Sequence, residues 1–360
     1  MTRHKVITVV WTIVGITIIE QLGFYIVNQN KLPSLTAHID RSTHMDCSPD
    51  ITCKYPEEVD LRIIVMTFNR PDSLKKTLQS LNDLKLDGDT GSLEIWIDRK
   101  LKAEKNGSGP KDTIDTDTVE TALTFTWLNG QTRVHIHKTH VGIYGQWIDT
   151  WRPRRRSKEL ALFLEDDISV SPYAYRWLKA VHQKYGSRND IAGYTLQSEE
   201  VHMASNGRPI NRPRNDTVFL YKLLGSWGYA PHPKSWMEFQ DWYHRVRNNT
   251  RFQPYVPKAA LVTRWYKTFE MANKQNTMWT IWHVYYCNKF NMFSVYSNLN
   301  AVTKRSEILL AANRKEPGLH FPSKLPEHTD KLLHVWSDNY VTLPDHPQLY
   351  DFDGSRFKTD

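Results

Sequence analysis

The stretch Leu160-Ala-Leu-Phe-Leu-Glu-Asp-Asp167 drives five apolar residues straight into three acids. A short continuous apolar run reads as a strand buried on both faces. Three carboxylates at its end repel one another unless water or a cation meets them. Ser171-Pro172 follows as a helix-start signal, a serine cap with proline at the first helical position. The acids are therefore expected on a strand-to-helix turn at the carboxyl edge of a sheet, where open α/β sheets bind ligands. Hard divalent cations take oxygen ligands and keep positions open for phosphate oxygens. The stretch reads as a metal-diphosphate site, with a solvated acidic turn as the alternative.

The rest of the chain fits an α/β plan. Leu61-Arg-Ile-Ile-Val-Met-Thr-Phe68 is a predicted strand, broken by Asn69-Arg70-Pro71. Asp72 or Ser73 is expected to cap a helix whose apolar face is Leu74, Leu78, Leu81 and Leu84. Further strands are predicted at Leu93–Ile97, with Asp98 at its end, at Arg133–His137 and at Leu160–Leu164. Val119, Leu123 and Trp127 keep helical spacing between the second and third. Strands alternating with helices imply a mostly parallel sheet covered on both faces.

The amino terminus carries a different signal. Val6–Val27 is apolar apart from Glu20, Gln21 and scattered Thr and Gly, and Val6–Ile19 holds no charge. About 22 helical residues span a bilayer core. Arg3, His4 and Lys5 precede it, which favours a cytoplasmic amino terminus and an uncleaved signal-anchor. Residues 28–60 read as a polar, proline-dotted luminal stem. Asn106, Asn215 and Asn248 begin glycosylation triplets that fit a secretory lumen.

Composition narrows the function classes. Lys+Arg 47 against Asp+Glu 39 gives +8, which suits a nucleotide diphosphate or a membrane surface. The excess is too diffuse for nucleic acid, and no nucleic-acid-binding signature is visible. Of the three cysteines, Cys47 and Cys53 are near enough in sequence to pair, leaving Cys287 as a buried thiol. No Cys/His cluster has zinc spacing. Arg152-Pro-Arg-Arg-Arg156 is a compact basic cluster that suits a phosphate, a processing protease or a solvated loop.

Phe68-Asn69-Arg70, Asp98, Gly145-Gln146, Glu165-Asp166-Asp167 and Gly225-Ser-Trp-Gly-Tyr229 occur in that order. In this order they resemble the GT-A class of nucleotide-sugar glycosyltransferases, and within it the Golgi β-1,2-N-acetylglucosaminyltransferase I family and family-2-like transferases. The likeness runs from about Leu61 to Trp236. It implies a three-layer α/β/α, Rossmann-like domain over 61–360, with a nucleotide-binding half at 61–170, an acceptor half at 171–343 and a tail at 344–360. The implied activity is transfer of a sugar, N-acetylglucosamine among the candidates, from a UDP-sugar to a glycan or glycoprotein in the Golgi or ER, by an inverting, Mn2+- or Mg2+-dependent type II membrane enzyme.

The same resemblance implies donor-binding roles for Thr67, Asn69, Arg70, Asp98, Gly145 and Gln146. It extends them to Glu165, Asp166, Gly225, Trp227 and Gly228, with Asp167 on the metal. His283 is a candidate second metal ligand, and His320 another. The chain departs from the family where an acidic pair is expected between two tryptophans, since Trp279-Thr-Ile-Trp282 has no acid. The base is then sought in Asp241 or Glu270, with Glu238 also in reach. A catalytically inactive, lectin-like or scaffold protein of the same fold is the competing reading.

Overall fold

The computed structural model describes residues 55, 57–101, 112–155, 157–198, 210–303, 307–318 and 321–357. The expected anchor at 6–27, most of the stem with Cys47 and Cys53, Asn106, Arg156 and His320 lie outside them. Among the described residues no helix is long and apolar enough to cross a membrane.

The chain opens with β1 (Leu61–Thr67), α1 (Pro71–Asn82), β2 (Gly91–Ile97), α2 (Thr116–Thr124), β3 (Gln131–Ile136) and α3 (Gly142–Ile148). β4 (Leu160–Glu165), β5 (Ile168–Val170), α4 (Ala174–Tyr185), β6 (Ile191–Thr195), β7 (Val218–Tyr221) and β8 (Tyr229–Pro231) follow. The last part holds α5 (Pro233–Val246), α6 (Ala260–Met271), α7 (Thr280–Phe290), β9 (Phe293–Ser297), α8 (Asn300–Thr303), β10 (Ala311–Asn313) and β11 (Leu349–Tyr350).

A nine-stranded sheet runs in the order β11-β7-β9-β6-β8-β4-β1-β2-β3, and β5 pairs separately with β10. Strands β4, β1, β2 and β3 are parallel. The far side is mixed: β8 lies antiparallel to both β4 and β6, and β7 antiparallel to β9. The sheet is mostly parallel, as expected, with β8 reversing direction in its middle. The chain moves outward from β1 to β2 and β3, then returns to the other side of β1 as β4. The carboxyl ends of β1 and β4 thus form a switch point, the usual mouth of an α/β ligand site.

β1 is buried along its whole length, as an unbroken apolar run between two parallel neighbours requires. Ile64 and Met66 join Trp96, Ala161 and Phe163 in one cluster with side chains of α3, α5, α6 and α7. Ile63 and Val65 point the other way and are equally sealed, as are Leu74, Leu78 and Leu81 of α1. Packing on both faces makes the three layers.

Four local expectations shift. α1 has Pro71 in its first turn, but no side chain caps it; Ser73 instead donates to the Asp166 carbonyl (2.8 Å). Ser171-Pro172 does not begin a helix directly, because β5 intervenes and α4 starts at Ala174. The acids therefore turn between two strands. Trp127 lies beyond the end of α2 and donates its indole N–H to the Leu81 carbonyl (2.9 Å). The expected tail supplies β11, which pairs with β7, and Phe352 is fully buried.

Candidate functional site

The register pairs Met66 of β1 with Glu165 of β4, so Thr67 and Asp166 leave the sheet side by side. The Thr67 hydroxyl donates to Asp166 Oδ2 (2.7 Å). Arg70, at the start of α1, spans the two aspartates. Its Nη2 donates to Asp166 Oδ1 and its Nη1 to Asp167 Oδ2 (3.1 Å). Burial works against the Arg70 charge, but Asp166 and Asp167 outweigh it and hold the guanidinium above its usual pKa. Asp166 and Asp167 are almost closed to solvent. Burial pushes Asp166 up, with Arg70 opposing.

Glu165 accepts from the Trp147 indole (3.1 Å). Burial first, and then the charge of Asp167, push this carboxyl up to about 7. Trp147 is itself backed by Trp279, stacked at 4.5 Å. The Trp279–Trp282 segment, which lacks the sought acid, thus supplies the wall behind Glu165.

The backbone of the acidic turn is held from below. Ser73 and Thr77 hydroxyls both donate to the Asp166 carbonyl (2.8 Å each). Arg314, buried at the end of β10, adds its Nη2 to the same carbonyl (2.6 Å), to Ser73 O (2.7 Å) and to Thr77 Oγ1 (2.9 Å). Its backbone N–H donates to Asp167 O (2.9 Å). Arg314 was not among the expected residues. Its only sequence signal is a lone arginine after two alanines, Ala311-Ala-Asn-Arg314.

The carboxylates suit a hard cation. Asp167 Oδ1 is buried and accepts no hydrogen bond. A buried, unpaired carboxylate oxygen is costly and calls for a partner. Mg2+-type ions are commonly held by one or two carboxylates with water and phosphate completing the shell. Among the described residues no group of three His, Cys, Asp or Glu could hold a metal alone.

Other expected residues fall elsewhere. Asp98 is tied to the backbone: Oδ1 accepts from Arg99 N and Val141 N and Oδ2 from Gly142 N, while His140 Nδ1 lies 2.9 Å from Oδ2 and 2.7 Å from the Arg99 carbonyl. Asp98 thereby secures the start of α3. Gln146 is likewise internal, donating to Thr67 O (3.0 Å). Gly145 allows close packing, since a Cβ there would meet Val141 Cβ at 2.5 Å. Asn69 is exposed on the turn before α1.

Gly225 and Gly228 flank the half-exposed Trp227. The Gly225 carbonyl accepts from Thr195 Oγ1 (2.8 Å), and Gly228 adopts φ +75. The Trp227 N–H reaches Gln197 Oε1 at 3.4 Å.

His283 corrects the expectation of a second metal ligand. It is buried among Tyr229, Trp236, Phe239 and Trp279, and its ring nitrogen Nδ1 lies 3.5 Å from the Cys287 thiol. Burial pushes it down to about 3, so it is a neutral core residue. Asp241 is half exposed and paired with Arg152 (2.7 Å), and Glu270 accepts from the Tyr255 hydroxyl. Neither expected base is bonded to the acidic turn.

No protein-family model matches the chain, and no curated protein sequence matches it. Among solved structures it is similar to TarS 1-349 of S. aureus, with TM-score 0.31, 12% identity and coverage of 57% of this chain and 55% of that one. It is also similar to the mannosyltransferase PcManGT from Pyrobaculum calidifontis in complex with GDP-Man and Mn2+, with TM-score 0.30, 12% identity and coverage of 60% and 53%. The chain spans about half the length of each. Overlaps of this size carry no argument about activity.

Proposed function

We propose that this chain is a nucleotide-sugar glycosyltransferase whose donor diphosphate meets the Glu165-Asp166-Asp167 turn through a divalent cation, Mn2+ or Mg2+. The supporting observation is the buried acidic turn at the β1/β4 switch point, with Asp167 Oδ1 unpaired. Asp167 and Asp166 would hold the ion, which when bound neutralises charge on the departing diphosphate. Arg70 lies within reach of the same charge. Glu165, held near neutrality, is suited to exchange a proton with sugar hydroxyls or bound water. Thr67 fixes the Asp166 rotamer, and Arg314 fixes the turn itself. Gly225, Trp227 and Gly228 are the residues offered for the sugar, with the partly exposed Trp227 ring as its stacking face. In the full reading the enzyme is a type II Golgi or ER membrane protein anchored by 6–27, inverting, with a UDP-sugar donor and a glycan or glycoprotein acceptor.

The test is release of nucleoside diphosphate from a panel of UDP- and GDP-sugars by the purified protein, with Mn2+ and with EDTA. Turnover that needs metal and falls about a hundredfold or more in Asp167→Ala supports the proposal. Donors that stabilise the protein against heat without any turnover would instead favour the lectin-like reading. No metal-dependent response to any donor refutes both.

A further inference from the structure

A second concavity lies at the other end of β4. The acidic turn leaves the carboxyl end of this strand, whereas Arg154, Arg155 and Lys158 lead into its amino end. Six residues at about 3.3 Å each separate the two sites by roughly 20 Å. The Ser157 N–H donates to the Arg154 carbonyl (3.0 Å), and this turn gathers the basic side chains. They face the end of α4 and the start of α5 across a cleft of about 440 Å³, which Lys234, His182 and His232 also line.

The charge in this cleft is one-sided. Among the described residues four cationic side chains line it and no carboxylate does. Two acids stand nearby. Glu58 is engaged by Ser157 Oγ (2.7 Å) and Lys158 N (3.2 Å), and Glu238 lies one turn along α5 from Lys234. Arg154 is pinned by a hydrogen bond from Nη2 to the Tyr55 carbonyl (2.5 Å). The two histidines form uncharged walls. His182 Nδ1 meets the Tyr194 hydroxyl (2.9 Å), His232 Nε2 meets the Gly186 carbonyl (2.9 Å), and burial depresses both pKa values, that of His182 to about 4. The first turn of α5 contributes its positive dipole end to the same side.

We propose that this cleft binds a phosphate or sulfate ester, at a site separate from the acidic turn. Arginine and lysine side chains lining one small cleft supply the positive charge and the N–H donors that such an ester's oxygens require, with Lys234 Nζ also 3.4 Å from Asn189 Oδ1. Its volume is that of a small-ligand pocket. The ester could belong to a free small molecule or to a lipid headgroup, and the chemistry recognised is the same.

The experiment is calorimetric titration of the full chain with inorganic phosphate in EDTA, against chloride at matched ionic strength. EDTA removes any metal from the acidic turn, so the outcome does not depend on the transferase proposal. The wild type should bind phosphate saturably, as should Asp167→Ala. The double variant Arg155→Ala/Lys158→Ala and the single variant Lys234→Ala should each bind about tenfold or more weakly. All three altered side chains are exposed, and an unchanged melting temperature without phosphate establishes that these variants are folded. Sedimentation with phosphatidylserine vesicles separates the sources. Vesicle binding lost in the double variant supports the proposal with a lipid headgroup as ligand, and phosphate binding without vesicle binding supports it with a free ester. Heats equal to the chloride control, or equal in wild type and variants, overturn it.

Discussion

Replacing Arg70 by Gln should lower the stability of the metal-free protein and make that stability responsive to Mn2+. The Arg70 side chain is 27% exposed, while those of Asp166 and Asp167 are 3% and 7%. Removing one partner of a buried ion pair costs about 3–5 kcal/mol. Residual solvent at Arg70 reduces this to about 2–3 kcal/mol. For a domain of this size that corresponds to a fall of roughly 3–5 °C in melting temperature. A cation bound only by the folded state at about a hundred times its Kd returns about 2.7 kcal/mol, which nearly cancels the loss. In the wild type an ion at the turn would share the aspartates with the Arg70 charge, so Mn2+ should raise its melting temperature less than that of Arg70→Gln. Thermal melts of both proteins, with Mn2+ and with EDTA, read the difference. The reasoning fails if Arg70→Gln melts with the wild type in EDTA, or if Mn2+ shifts the two equally.

Further outcomes follow from neighbouring contacts. The folded-state pKa of Glu165, about 7, lies above its ordinary value of 4.5. The protonated form is therefore the one the fold favours, and its contribution is fully present below pH 4.5 and lost as pH rises through 7. Relative to Glu165→Gln, the metal-free wild type should lose on the order of 2 kcal/mol between pH 5 and 8, allowing for partial exposure, as read by urea midpoints. Arg314→Met should cost about 3 kcal/mol in urea unfolding, because three acceptors around the acidic turn lose a buried donor. Gly228→Ala should cost about 1–2 kcal/mol, since φ is +75 and a Cβ would stand 3.0 Å from Leu196 Cδ1. Thermal denaturation checks it.

β1 and β4 are legible in the chain because each is a largely apolar run long enough to need no context, while β2 and β3 interrupt theirs with Glu94 and with Arg133 and His135. Leu74, Leu78 and Leu81 declare α1 in the same way, by period. The acidic turn is legible as a place, since three acids after a buried strand can stand only at its carboxyl edge. What surrounds it is not. β5 and β10 are three residues each, too short for any pattern, and they are strands only because they pair with each other. Overlooking β5 is what moves the helix start from Pro172 to Ala174. Asp98 carries no local mark to show that backbone N–H groups 43 and 44 residues away will fill its oxygens. His283 fails for a related reason. On α7 it faces inward, and only the packed aromatic cluster reveals that inward means dry.

Arg314 joins parts of the chain made at very different times. It grips a carbonyl 148 residues upstream and a serine 241 residues upstream. A ribosome that has finished β1, α1 and β4 has produced every acid of the turn but not the arginine that clasps it. Acquisition of this geometry is thus deferred until residue 314 has emerged. A product ending before residue 311 would carry the acids unclasped.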